Sequence, residues 1–235
     1  MVLNETAILY RLLVKKDLVV TPILDLSQQL GSSTLDVRLG TRFLAQKSSS
    51  LIYLDPLRQA AQIEADKLQY EVEYTLQSTQ AYVLHPGEFV LASTLEYVVI
   101  PADITARLDG RSSWGRAGLE VHATAGFVAS GFEGTITFEL KNVSRMPIPL
   151  YPMLRVAQLS FYEIGPNTRL PYRAKSSSKY AGYLAPTGST FYRDPEWNII
   201  RKELAAQGKH QRSERLSAAL EARPADRRPG ESATT

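Results

Sequence analysis

The chain has 235 residues, no cysteine, and 27 Lys/Arg against 24 Asp/Glu. This length suits one core of roughly 200 residues with extensions, and a chain without cysteine can form neither disulfides nor thiolate metal sites. Residues 201–235 hold eight Lys/Arg and five Asp/Glu, which accounts for the whole +3 surplus, so the remainder is near neutral and no nucleic-acid-binding face is expected on it. His85, His122 and His210 lie far apart, without ligand spacing. No run approaches the roughly 18 apolar residues of a membrane span, and MVLNETAILYRLLVKK lacks a basic region before its apolar part and a small-residue cleavage site. A cytoplasmic protein with no membrane partner is expected.

In chain order, helical periodicity covers Glu5 to Lys15, Pro56 to Leu68 and Pro195 to Ala206. The prolines that open the last two suit first helical positions. Between Leu35 and Phe161 run short strand patterns: LDVRLGTRFL, QYEVEYTL, AYVLHPGEFVLAS, EYVVI, ITARLDG, GTITFELKN, PIPLYP and RVAQLSFYEI. Pro and Gly punctuate them about every ten residues, which predicts an all-β sandwich or barrel with a few short helices. Residues 173–190, RAKSSSKYAGYLAPTGST, have loop composition, and their Lys and Tyr residues leave room for a closing flap. After Gln207 the sequence turns polar and reads as a disordered basic tail. The expected organisation is a β domain over 1–200 and a helix end with tail over 201–235.

The chemistry concentrates in GRSSWGRAGLEVHATAGFVASGFEGTITFEL, residues 110–140. Alternation over Thr135 to Leu140 turns Ile136, Phe138 and Leu140 one way and Thr135, Thr137 and Glu139 the other. Glu139 reads either as a solvated strand carboxylate or as the acid/base of a site. Ahead of it, GRSS and Arg116 combine glycines that admit close main-chain approach, hydroxyl donors and a guanidinium fork, a composition suited to phosphate. An ordinary surface turn has the same composition. There is no GxxxxGK[ST] and no GxGxxG.

These motifs resemble the dCTP deaminase and dUTPase superfamily, and more closely its deaminase branch, which reads GRSSLxRxGL and then HxTAxxIDxGxxGxITLE. Here GRSSWGRAGL, VHATAG and SGFEGTITFE stand in the same order. TLDVRLG, RVAQLSF and PYRAKSSSKYAG extend the resemblance from about residue 20 to 195. It implies a distorted, dUTPase-like β-barrel assembled as a homotrimer, with sites at subunit interfaces and a deoxynucleoside triphosphate substrate carried with Mg²⁺. It places the general acid/base at Glu139. Ser112 and Arg116 correspond to holders of water and phosphates, with Arg111, Ser113, Trp114 and Gly115 in the same turn. Ala125 corresponds to a main-chain carbonyl that positions water. Gln158, Tyr172 and Lys179 correspond to triphosphate contacts, and Tyr183 belongs to the closing segment. Ala129, Thr137 and Phe138 fall at further substrate-binding positions.

The zinc deaminases hold their metal with His and two Cys, or with three Cys, a set that a cysteine-free chain cannot build. Deamination without zinc needs a carboxylate that takes a proton from water and returns it to the leaving amine. The family's sugar-binding Asp is replaced by Ala129, followed by Ser130. A methyl group neither accepts a hydroxyl hydrogen bond nor acts as a base, and an unpaired buried hydroxyl costs roughly 1–3 kcal/mol. Tyr183 stands in place of a flap Gln, and Met153 in place of a turn Gly. Phe127 stands where many monofunctional deaminases have Arg and bifunctional relatives an aromatic. His122 is read as a hydrogen-bonded structural residue and Trp197 as the anchor of the last helix. The expected function is deamination of dCTP to dUTP and ammonia, without the dUTP diphosphatase step. The alternatives are a nucleotide-binding sensor or regulator of the same fold, and tail-mediated binding to nucleic acid or protein.

Overall fold

A computed structural model describes residues 1–51, 53–58, 60–122, 124–175 and 178–221. It divides into two units, one of residues 1–51 with 65–189, the other of 52–64 with residues from 190 on.

In chain order the helices are α1 (Glu5–Leu9), α2 (Leu26–Gln29), α3 (Ala60–Tyr70), α4 (Ser112–Arg116) and α5 (Glu196–Glu221). The strands are β1 (Val19–Thr21), β2 (Thr34–Gln46), β3 (Glu71–Thr75), β4 (Tyr82–Leu84), β5 (Phe89–Val99), β6 (Ile104–Gly110), β7 (Leu119–Glu120), β8 (Phe127–Val128), β9 (Glu133–Asn142), β10 (Ile148–Leu150) and β11 (Arg155–Glu163). The fold is mainly β, as the punctuated strand patterns predict. Among the described residues nine strands form one curled antiparallel sheet in the order β7-β9-β5-β2-β11-β6-β8, with β1 on β5 and β3 on β2, and β4 pairs β10 separately.

The 13-residue strand β2 joins the two halves of the sheet. Its first part pairs β11 and its last part pairs β5 and β3, with a register shift between Leu39 and Phe43. Gly40 lies at that shift because a Cβ there would come within 2.9 Å of the Ser93 carbonyl oxygen. Alternating side chains of both halves meet in one core, where Phe43, Phe138 and Phe161 are fully buried. Truncating such a Phe to Ala costs roughly 3–5 kcal/mol.

The first predicted helix is present as α1 continued by a π-helical turn, Tyr10–Lys15, with Asn4 accepting a hydrogen bond from the Ala7 N–H at 2.9 Å. The second begins at Ala60, four residues beyond Pro56. The third begins directly after Pro195, where Trp197 Nε1 donates to the Phe191 carbonyl at 2.9 Å.

Two expectations about the C-terminal part need correction. Residues 208–221, read as disordered, continue α5. The stretch HQRSERLSAALE is rich in residues of high helix propensity, which sustains a helix without a strong apolar face. The rest of the predicted tail, 222–235, lies outside the described residues. The expected division at residue 200 is also displaced: within the second unit Tyr192 donates its hydroxyl to Glu64, and Arg201 reaches the carbonyls of Leu57 and Pro56 at 3.1 and 2.6 Å. These bonds gather 52–64 with the residues from 190 on. Among the described residues no helix is long and apolar enough to cross a membrane.

Candidate active site

Strand β9 carries the alternation read from the sequence, with one difference. Ile136, Phe138 and Leu140 are buried, while Thr135, Thr137 and Glu139 are half-buried rather than solvated. They form part of a mostly apolar cavity of about 550 Å³. The Glu139 main-chain N–H donates to the Val121 carbonyl at 3.1 Å, and Glu139 lies opposite Leu91 of β5. This register fixes where the carboxylate emerges. Among the described residues that carboxylate makes no hydrogen bond or ion pair, and no Lys or Arg lines the cavity.

The segment that closes the cavity is pinned to the start of β9. The Tyr172 N–H donates to the Ser130 carbonyl at 2.8 Å, the Gly182 N–H to the Glu133 carbonyl at 2.7 Å, and the Thr135 N–H to the Tyr183 carbonyl at 2.9 Å. Arg173 pairs with Glu133 at 2.5 Å, and the other oxygen of Glu133 accepts from the Tyr97 hydroxyl at 2.8 Å. Gly131, with φ 76°, is required at this contact: a Cβ there would come within 2.4 Å of Pro171. Tyr180, Tyr183, Thr187 and Ser189, from the stretch of loop composition, are among the residues that line the cavity.

Of the predicted site residues, the cavity brings together Glu139, Ala125, Ala129, Thr137, Tyr172 and Tyr183. None of residues 111–116 lines it, and neither do Gln158 and Lys179. Phe138 is corrected: its side chain is fully buried in the core, as an even position on a strand whose odd positions face the cavity. The GRSSWGR turn forms α4, anchored inward by two of its residues. Arg111 Nε pairs with Asp36 at 3.1 Å, and Arg111 Nη1 and Trp114 Nε1 donate to the Arg155 carbonyl at 3.2 and 3.0 Å. Arg111 and Trp114, placed by the sequence in the same turn as the predicted water and phosphate holders, thus hold that turn to β11. Burial pushes the Asp36 carboxyl up, against the opposing pull of Arg111, Arg155 and Arg38. Ser112, Ser113, Gly115 and Arg116 remain exposed, and among the described residues Arg116 has no ion-pair partner.

The structure also adds lining residues without a motif: Gln46, Phe89, Leu91 and Ser189. Their placement depends on strand register, which leaves no local signal in the sequence. His122 is corrected as well. Its Nδ1 is buried without a hydrogen-bond partner among the described residues, and the residue lines both the Glu139 cavity and a second one of about 310 Å³.

The chain thus combines a half-buried carboxylate on β9 of a curled antiparallel sheet with an exposed turn after β6 that carries Arg116. A family model described as dCTP deaminase-like matches residues 2–164, and the chain belongs to that family. It is 44% identical over 172 residues to "dCTP deaminase, dUMP-forming" of Dictyoglomus thermophilum, covering 73% of this chain and 86% of the relative. It is 40% identical over 206 residues to "dCTP deaminase" of Halorubrum lacusprofundi, covering 87% of this chain and 98% of the relative. Among solved structures, 2'-deoxycytidine 5'-triphosphate deaminase from Agrobacterium tumefaciens superposes with a TM-score of 0.50 at 23% identity, over 68% of this chain and 47% of that one. This last likeness shows the fold.

Proposed function

We propose that the chain hydrolyses the exocyclic C–N bond of a cytosine deoxynucleoside triphosphate, converting dCTP and water to dUTP and ammonia. The observation that carries this reading is the Glu139 carboxylate, unpaired and half-buried in an apolar cavity. In the proposed reaction Glu139 removes a proton from water, and the hydroxide adds to C4 of the base. N3 takes the electron pair of the C4–N3 double bond, the first proton passes from Glu139 to the amino nitrogen, the C4–N bond breaks and ammonia leaves, and the hydroxyl proton ends on N3 as C4 becomes a carbonyl. The exposed carbonyl of Ala125 orients the water. The sugar lies toward Ala129 and Tyr183.

A triphosphate needs cations that the cavity wall does not hold. We assign them to Arg116, with the hydroxyls of Ser112 and Ser113, from α4 of a second copy in a homotrimer. The exposure of that turn and its separation from the cavity on one chain support the assignment. Gln158 and Lys179 are assigned to the same phosphate side. Mg²⁺ is assigned to the phosphate oxygens. In this reading the ion enters with its nucleotide.

Several relatives of this chain are named as dUMP-forming. For this chain the proposed product remains dUTP, because the wall offers a methyl group at Ala129 where attack on the α-phosphate needs a base. The same substitution favours the second reading, a nucleotide sensor that binds without turnover. Incubation with dCTP and Mg²⁺, following ammonia and diphosphate separately, distinguishes them. The expected result is ammonia without diphosphate, reduced by about 10²–10⁴-fold in Glu139→Gln with nucleotide binding retained. Undiminished ammonia release in that variant removes Glu139 from the mechanism, and binding with neither product supports the sensor.

A further inference from the structure

The cavity continues beyond the reacting carboxylate. Successive rows of the sheet order its floor: Thr135 lies opposite Tyr97, Thr137 opposite Ser93, Glu139 opposite Leu91, and Lys141 opposite Phe89. Leu91 in turn faces Leu44 of β2, and Gln46 follows one position past the Ala45–Val90 pair. Phe89 and Gln46 therefore line the cavity on the side of Glu139 away from Thr135 and Tyr183. Thr187 and Ser189 cover that side. Gly188 between them is placed so that a Cβ would come within 2.4 Å of an oxygen of Glu71, the residue opposite Gln46.

In a pyrimidine the reacting C4 stands across the ring from N1, which carries the sugar. On the deaminase reading above, which this inference deepens, C4 meets Glu139 and the sugar points toward Ala129 and Tyr183. With the base turned so that C5 rather than N3 lies on this side, its C4–C5 edge faces Phe89, Leu91, Gln46, Thr187 and Ser189, and an unsubstituted cytosine has only hydrogen on C5 to present there. A substituent on N4 would leave with the amine, whereas one on C5 stays with the product beside Gln46, which is exposed at the rim. Phe89 and Leu91 offer apolar contact for a carbon atom. The Gln46 amide offers both a donor and an acceptor for a hydroxyl.

We propose that this end of the cavity receives a small hydroxylated substituent on C5, so that the preferred substrate class is a 5-hydroxymethylcytosine deoxynucleoside triphosphate. Initial rates of ammonia release from dCTP, 5-methyl-dCTP, 5-hydroxymethyl-dCTP and N4-methyl-dCTP, measured separately from nucleotide affinity, test it. Expected is a kcat/KM for 5-hydroxymethyl-dCTP about tenfold above that for dCTP, and loss of its advantage over 5-methyl-dCTP in Gln46→Leu. Equal or better use of dCTP overturns the proposal, as does a preference for the N4-methyl nucleotide or a hydroxymethyl-over-methyl ratio that Gln46→Leu leaves unchanged. If no nucleotide yields ammonia, the deaminase reading fails on its own. The affinities then decide: tighter binding of the hydroxymethyl nucleotide than of dCTP sustains the proposal, and equal or weaker binding overturns it.

Discussion

Met153 occupies the left-handed region with φ 74°, at the turn that leads into β11. Its N–H donates to the Leu39 carbonyl at 2.8 Å and its own carbonyl accepts from Arg38 Nη1 at 3.0 Å, so the neighbouring bonds hold the strained conformation in place. Such a conformation costs a non-glycine residue on the order of 1 kcal/mol. Met153→Gly is expected to raise stability by up to about 0.5 kcal/mol, most of the relief being offset by glycine's larger unfolded-state entropy. Urea titration measures this, and a lowered midpoint would show that the Met153 side chain contributes more through packing than its backbone loses. The departure of Met153 from the family's turn Gly was visible in the sequence. So was Ala129, because both are single identities set against a pattern. The enclosure of Glu139 was not visible, because alternation assigns a face of the strand without saying what covers it.

Strand β5 shows how an element departs from its own period. Its register against β9 shifts between Ser93 and Tyr97, and Glu96 is turned into the interior with no exposed surface. There it accepts from the Arg38 N–H at 2.8 Å and from Gln29 Nε2 at 3.3 Å. Burial pushes its carboxyl up to about 7, against the smaller opposing effects of those hydrogen bonds and the Arg38 charge. A carboxyl raised on folding contributes stability that is fully present below its unfolded value, near 4.5, and lost as pH rises through about 7. The loss is at most about 3 kcal/mol. Asp103, held low mainly by its hydrogen bond from Arg11, acts in the opposite sense and only at acid pH. Unfolding free energies at pH 5, 6, 7 and 8 should therefore decline, and Glu96→Gln should flatten the decline. An unchanged slope in that variant would assign the pH dependence elsewhere. Strand existence was legible here from β-branched and aromatic content, whereas the register shift depends on Gly40 and Arg38 of another strand. Helix α5 is the converse case, where polar composition concealed a segment of high helix propensity.

At the scale of the whole molecule, the proposed assembly makes one chain's Glu139 depend on another chain's Arg116. Arg116→Ala and Glu139→Gln should each be inactive as pure assemblies, yet co-assembled in equal amounts they should recover up to about a quarter of wild-type ammonia release. One site in four then combines an intact carboxylate with an intact guanidinium. Native mass spectrometry establishes that mixed trimers form. Mixed trimers without recovered activity would place both groups of each site on a single chain.

The sequence by itself determined the family, the mainly β fold, the face of β9 that carries Glu139, and the loss of the sugar-side carboxylate at Ala129. These are local properties, readable from residue identity and a period of two. Only the tertiary structure decided that the carboxylate is half-buried in a cavity with Tyr180 and Tyr183, that Arg111 and Trp114 anchor the turn after β6, and that Gln46 and Phe89 extend the cavity past Glu139. Each of these depends on the register and closure of segments tens of residues apart, which is set by packing and main-chain hydrogen bonding that no single segment encodes.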